Sequence, residues 1–168
     1  MYLIRSLRQD DLRMVGDELR SGGMPDKHAR RLEMQKHGSC TYLIAWQSDA
    51  PVGHLLLKWT GPEQEPMRSA IPDCPEVGAL FVREEMRSRG IGGCLMENAE
   101  HVVVSRGIHQ VGLAVGIDNT NAQRLYRRRG YVDVGFPQFT VSWTYLDKDG
   151  REQIEGEECV YLTKHLIL

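Results

Sequence analysis

Apolar and polar positions follow two rhythms along this chain, and the changes from one to the other mark out its elements. Residues 3–7 read as a strand, and Asp10 and Asp11 stand where an N-cap opens a helix running to about residue 20. Ser21-Gly22-Gly23-Met24-Pro25 breaks that helix, and Asp26 starts a second one to about residue 36. Residues 41–46 and 52–59 are apolar runs around Ser48-Asp49-Ala50-Pro51, the pattern of a hairpin. The stretch 61–75 holds Pro62, Pro66, Pro72 and Pro75 and reads as a long loop. A strand at 77–82 follows, then a helix at 94–106 with Leu95, Ala99, Val102 and Val103 on one face. A strand at 111–115 and a short helix after Asn119 come next. Two late strands, 132–145 and 158–167, are joined by 146–157 around an Asp149-Gly150 turn.

The junction between the strand at 77–82 and its helix carries the first chemical signal. There Arg87-Ser88-Arg89-Gly90-Ile91-Gly92-Gly93 forms an R-x-x-G-x-G loop opening into the helix. A helix N-terminus presents unpaired backbone N–H groups and a partial positive charge. Glycines let a ligand approach that backbone closely, so the arrangement suits a phosphate or pyrophosphate. It is not a Walker loop, which needs Gly-Lys-Ser/Thr where this chain has Gly92-Gly93-Cys94. Nor is it a dinucleotide fingerprint, because Leu95 stands where the third glycine belongs.

The second signal lies beyond the strand at 111–115. Asn119, Ala122, Leu125, Tyr126, Gly130 and Tyr131 make up N-x-x-A-x-x-L-Y-x-x-x-G-Y, a short helix with a glycine just past its end. Upstream, Leu80, Val82, Arg87, Gly90 and Gly92 make up L-x-V-x-x-x-x-R-x-x-G-x-G. In this order and spacing the two motifs resemble the GNAT superfamily of acyl-coenzyme A N-acyltransferases. The resemblance implies an α/β fold in one domain, residues 1–168, with a central mixed sheet of about six or seven strands flanked by helices.

Composition narrows the alternatives. A chain of 168 residues is long enough for one real core, with no apolar run long enough to span a membrane and no secretory signal at its start. Cys40, Cys74, Cys94 and Cys159 lack C-x-x-C spacing and read as reduced thiols of a cytoplasmic protein, Cys94 as a small packing residue. The six histidines show no metal spacing, so no metal is expected. A net charge of −2 argues against a general nucleic-acid binder. The distribution says more: residues 83–129 carry eight arginines against five acids, whereas 144–168 carry six acids against three basic residues. The basic half coincides with the expected anionic ligand; Arg124 and Arg127 to Arg129 also suit a solvated helix face.

What the resemblance implies can be set out by residue. The co-substrate is acetyl-coenzyme A, with backbone groups of Leu80, Phe81 and Val82 along the pantetheine arm. Arg87, Ser88, Arg89, Gly90, Ile91, Gly92 and Gly93 would hold the pyrophosphate. Phe81 and Val82 are the nearest amides for the oxyanion. Tyr126 matches the tyrosine that protonates the departing sulfur, and a phenol of pKa about 10 stays protonated until a thiolate forms beside it. Asn119 matches an asparagine that contacts the cofactor arm and can also cap its helix.

The acceptor amine must lose a proton, and Glu76 is the candidate base. In a regular strand it shares a face with Gly78 and Leu80, although a bulge is usual in this strand of the family. An ordered water or the acidic segment after Thr144 is the alternative. Members acting on protein N-termini often carry a glutamate five residues before the motif asparagine, where this chain has Ala114. The acceptor groove is expected between 21–25 and 146–157, and the acids Asp147, Asp149, Glu152, Glu155 and Glu157 would favour a cationic amine. Trp143 and Tyr145 read as ordinary strand residues.

The expected activity is acetyl transfer to a primary amine, on a small molecule or a peptide, by direct transfer in a ternary complex. The alternatives are another acyl group, a protein lysine acceptor, or a non-catalytic acyl-coenzyme A-binding regulator. A homodimer is common among such proteins, with no residue here specifying its interface.

Overall fold

Two apolar faces of one twisted sheet organise the protein, seen in a computed structural model that describes residues 1–167. The last residue of the expected domain therefore lies outside the described residues. The chain runs β1 (Leu3–Ser6), α1 (Leu12–Glu18), α2 (Lys27–Lys36), β2 (Cys40–Gln47) and β3 (Ala50–Lys58). Then come α3 (Met67–Ala70), β4 (Glu76–Val82), α4 (Ile91–Ser105), β5 (Gln110–Gly116) and α5 (Thr120–Arg128). It ends with β6 (Val132–Asp133), β7 (Phe139–Leu146) and β8 (Glu152–His165). The strands form one eight-stranded mixed sheet in the order β1-β2-β3-β4-β5-β8-β6, with β7 also paired to β8. Only β4 and β5 run parallel among the paired strands.

The strands β2 and β3 are apolar on both sides because both of their faces are covered. Leu43, Ala45, Leu55 and Leu57 pack with Leu95, Met96, Ala99 and Val103 of α4. Tyr42, Ile44, Trp46 and Leu56 pack with Leu7, Val15, Leu19 and Leu32 around α1 and α2. Each fully buried leucine in such a core is worth about 1.5–3 kcal/mol relative to exposure. Gln35 locks α2 onto the sheet: its Nε2 donates to the Leu7 carbonyl at 2.9 Å and its Oε1 accepts from the Tyr42 amide at 2.8 Å.

Four expectations are corrected. The strand expected at 132–145 is two, β6 and β7, because Gly135 at φ +92° and Pro137 interrupt it. The helix expected from residue 94 begins at Ile91, because Gly90 adopts φ +83° and ends the loop there. Gly92 and Gly93 therefore belong to its first turn. The proline-rich stretch 61–75 contains one helical turn, α3. The expected acidic connection 146–157 is mostly strand: Asp147 and Asp149 sit in the hairpin turn, whereas Glu152, Glu155 and Glu157 pair with β7 as part of β8.

Candidate active site

The sheet opens at its centre. β4 pairs with β5 only through Glu76 opposite Gly112 and Val77 opposite Leu113; beyond them the strands separate. On its other side β4 is irregular as well. Gly78 lies opposite Leu56 and Phe81 opposite His54, so Ala79 and Leu80 together face one residue of β3. This is a bulge, and Ala79 carries φ +49° to make it. The extra residue exchanges the faces beyond it. Glu76, Gly78 and Phe81 lie on the α1–α2 side with Lys58, Leu56 and His54, whereas Val77, Leu80 and Val82 lie on the α4 side. A regular strand would have put Leu80 on the face of Glu76; the bulge prevents it.

A groove of about 710 Å³ runs from this opening to the N-terminus of α4 and along α5. Leu80, Phe81, Val82, Arg87, Ser88, Gly90, Ile91, Gly92, Gly93 and Asn119, named from the family resemblance as cofactor-binding candidates, all line it. Arg89, Tyr126 and Glu76 are not among its lining residues. Met86, Asn121, Ala122, Arg124, Leu125 and Arg128 complete the wall. The residues 121, 124, 125 and 128 recur at helical spacing, a signal that a helical reading of α5 could have used.

The phosphate-like end of the groove follows from local backbone geometry. Ser88 at φ +61° and Gly90 at φ +83° turn the chain sharply before α4. No side chain caps the helix there, leaving its first amides for a ligand. A Cβ on Gly92 would sit 3.5 Å from Leu125 and 4.0 Å from Leu80, inside the groove that both residues line. Arg87 also donates from Nε to the Val82 carbonyl at 3.1 Å, bracing the turn. The run of three arginines divides: Arg128 lines the groove, whereas Arg129 turns inward to Glu100 at 3.5 Å, which Lys164 also meets at 2.8 Å.

The two catalytic candidates sit in different surroundings. Tyr126 is buried beneath α5, edge-on to Tyr131 with centroids 6.0 Å apart. Burial pushes its phenol up to about 12, which keeps the proton on oxygen. Glu76 stands 3.3 Å from Lys58, which also meets Glu63 at 3.6 Å. Burial raises its carboxyl above the ordinary range, against the opposing pull of Lys58. Asn119 caps α5 by accepting the Ala122 amide at 3.2 Å and lines the groove too.

The hairpin of β7 and β8 brings a second candidate carboxylate toward the opening. Glu157 shares the sheet face of Cys159 and Tyr161, and its carboxylate covers the Cα of Gly116 so closely that a Cβ there would collide with it. Tyr161 covers Gly112 in the same manner. Glu157 is exposed and forms no ion pair among the described residues, unlike Glu76.

The sequence model of the Acetyltransferase (GNAT) family matches residues 4–131. No curated protein matches the chain in sequence. Among solved structures, the ribosomal-protein-alanine N-acetyltransferase of Brucella melitensis has a TM-score of 0.68 at 19% identity, covering 98% of this chain and 99% of that one. An N-acetyltransferase from Staphylococcus aureus has a TM-score of 0.69 at 11% identity, covering 99% of each chain. The yncA protein of Salmonella typhimurium, solved with its cofactor acetyl-CoA, has a TM-score of 0.69 at 13% identity, covering 100% of this chain and 95% of that one. At such identities the likeness establishes the fold.

Proposed function

Because the chain belongs to the GNAT acetyltransferase family, we propose that it moves the acetyl group of acetyl-coenzyme A onto a primary amine by direct transfer in a ternary complex. The observation that carries this reading is the groove, which joins the unpaired stretch of β4 to the uncapped N-terminus of α4. A pantetheine arm can extend β4 by backbone hydrogen bonds where β5 has separated, and the first turn of α4 suits the pyrophosphate. Arg87, Arg124 and Arg128 supply the counter-charge. The yncA structure with acetyl-CoA supports the same choice of co-substrate.

In the transfer, the amine nitrogen bonds to the acetyl carbon and the carbon–sulfur bond breaks. One proton leaves the amine, and the departing thiolate takes one from Tyr126, which solvent then restores. Burial keeps the proton on Tyr126 until the thiolate forms, and the same burial raises the basicity of that thiolate above the ordinary thiol value of about 8.5. Glu76 is the proposed base because burial raises its proton affinity toward the working range. Glu157 is the second candidate, being unpaired and above the end of β5. The acceptor is a small amine or a peptide amine reaching the site from the face opposite α4, where the carboxylates of the hairpin favour a cation.

The test is thiol release from acetyl-coenzyme A with polyamines, aminoglycosides, amino acids and lysine peptides as acceptors. Release that depends on one amine class supports the reading and identifies the acceptor chemistry. Saturable cofactor binding with no amine-dependent release would leave a binding protein instead.

A further inference from the structure

His54 is almost fully enclosed beside the bulge, at 1% exposure, and the proposed chemistry does not use it. Its Nδ1 lies 2.8 Å from the carbonyl of Ala79, the bulged residue. Its Nε2 lies 3.0 Å from Ser21 Oγ, in the loop between α1 and α2. The carbonyl can only accept, so Nδ1 carries the proton and Nε2 accepts from the serine hydroxyl. The ring also stacks on Phe81, with centroids 5.2 Å apart. Lys27 ties the same loop by donating to the carbonyls of Ser21 and Gly22.

The direction of the Ala79 carbonyl determines a second group. In a trans peptide the N–H points opposite to the C=O, so drawing the Ala79 carbonyl toward the His54 ring on the α1–α2 side turns the Leu80 N–H away from that side, toward the α4 side and the groove that Leu80 lines. Leu80 stands outside the one-to-one register of β4 with both β3 and β5. Its side chain faces α4 and it lines the groove. The positive φ of Ala79 is a conformation that persists only when its surroundings hold it, and the His54 ring contacts its carbonyl directly.

We propose that His54 is a positioning residue that aims the Leu80 amide at the acetyl oxygen and, through Ser21, couples the α1–α2 loop to that amide. The inference rests on the acetyl-transfer reading for its consequence but not for its geometry. It identifies Leu80, ahead of Phe81 and Val82, as the oxyanion donor. Ordering of the α1–α2 loop by an acceptor would then reach the bulge through two hydrogen bonds.

Two variants separate the two contacts. His54→Asn places an amide N–H where Nδ1 stood and loses the link to Ser21; His54→Gln reaches Ser21 and loses the Ala79 carbonyl. Both stay polar, and thermal midpoints check that both fold. The expected result is a kcat loss of tenfold or more in His54→Gln, with the KM for acetyl-coenzyme A within threefold of wild type. His54→Asn should keep kcat within threefold and show a raised acceptor KM, as should Ser21→Ala. Equal kcat losses in the two variants, or the reverse order, would overturn the proposal. Amide resonances recorded without any ligand decide the geometry even if the wild type transfers no acetyl group. Those of residues 79–81 should move in His54→Gln and stay near wild type in His54→Asn. Unmoved resonances in His54→Gln would overturn it as well.

Discussion

The Glu76 carboxylate stands 3.3 Å from the Lys58 ammonium, at the level where β4 and β5 are still paired. The candidate base is thus held at the foot of the opening, below the residues that line the groove. Its pairing makes its role readable from pH. Lys58 lowers the Glu76 carboxyl against the upward push of burial, so Lys58→Met should raise it further. If Glu76 takes the proton from the acceptor, the acidic limb of kcat/KM moves to higher pH in that variant. An unmoved limb, with the larger loss of rate in Glu157→Gln than in Glu76→Gln, would transfer the role to Glu157.

The groove predicts opposite effects of one methyl group. Gly92 lies in the first turn of α4, so Gly92→Ala should leave stability unchanged or raise it by up to about 1 kcal/mol. The same methyl group enters the groove near Leu125 and Leu80, so the KM for acetyl-coenzyme A should rise. A fall in both thermal midpoint and cofactor affinity would show instead that the glycine serves the turn alone.

Neighbouring arginines should behave differently. Arg128→Gln should weaken acetyl-coenzyme A binding roughly tenfold, the scale of one lost charge-assisted hydrogen bond, and should flatten its salt dependence. Arg127→Gln, outside the groove lining, should leave both unchanged. Calorimetric titration at two salt concentrations reads the contrast; equal effects would mean that the arginines act only as a diffuse field.

The buried histidines set an acid limit to stability. His28 accepts from Tyr42 at Nδ1 and donates to the Leu19 carbonyl from Nε2, and burial lowers it to about 4. His54 is lowered too, first by burial. The unfolded chain, with histidines near 6.5, binds more protons than the folded one between that pH and about 4. The histidine contribution to stability should therefore be constant above about pH 7 and fall as pH drops through this window, by at most about 1.4 kcal/mol per pH unit for each histidine. Thermal midpoints across the window test it, and His28→Gln should show a shallower fall.

The parts of the site carried by local sequence were legible before the structure. The turn into α4 and the cap of α5 depend on glycine, asparagine and their immediate neighbours, so the glycine turn and the Asn119 cap could be read from the residues, whereas a part in cofactor binding came with the family resemblance. The parts that depend on distant partners could not. The face reversal at Ala79 arises from pairing with His54 on β3, 25 residues away. Arg129 leaves the groove because Glu100 of α4, which also pairs with Lys164 of β8, meets it. The acidic stretch 152–158 has little strand propensity of its own and becomes strand because β7 pairs along it. The groove face of α5, with Arg124 and Arg128, was readable by helical periodicity once the helix was recognised.

The most direct test of the account pairs wild type with Tyr126→Phe in one assay, measuring acetyl-coenzyme A affinity and amine-dependent thiol release together. The account predicts affinities within threefold of one another and a rate loss of roughly 10²-fold in the variant, the lower range for a general acid. Release of equal rate from both proteins would remove Tyr126 from the chemistry. Saturable binding by wild type with no release to any amine would contradict the transferase reading itself.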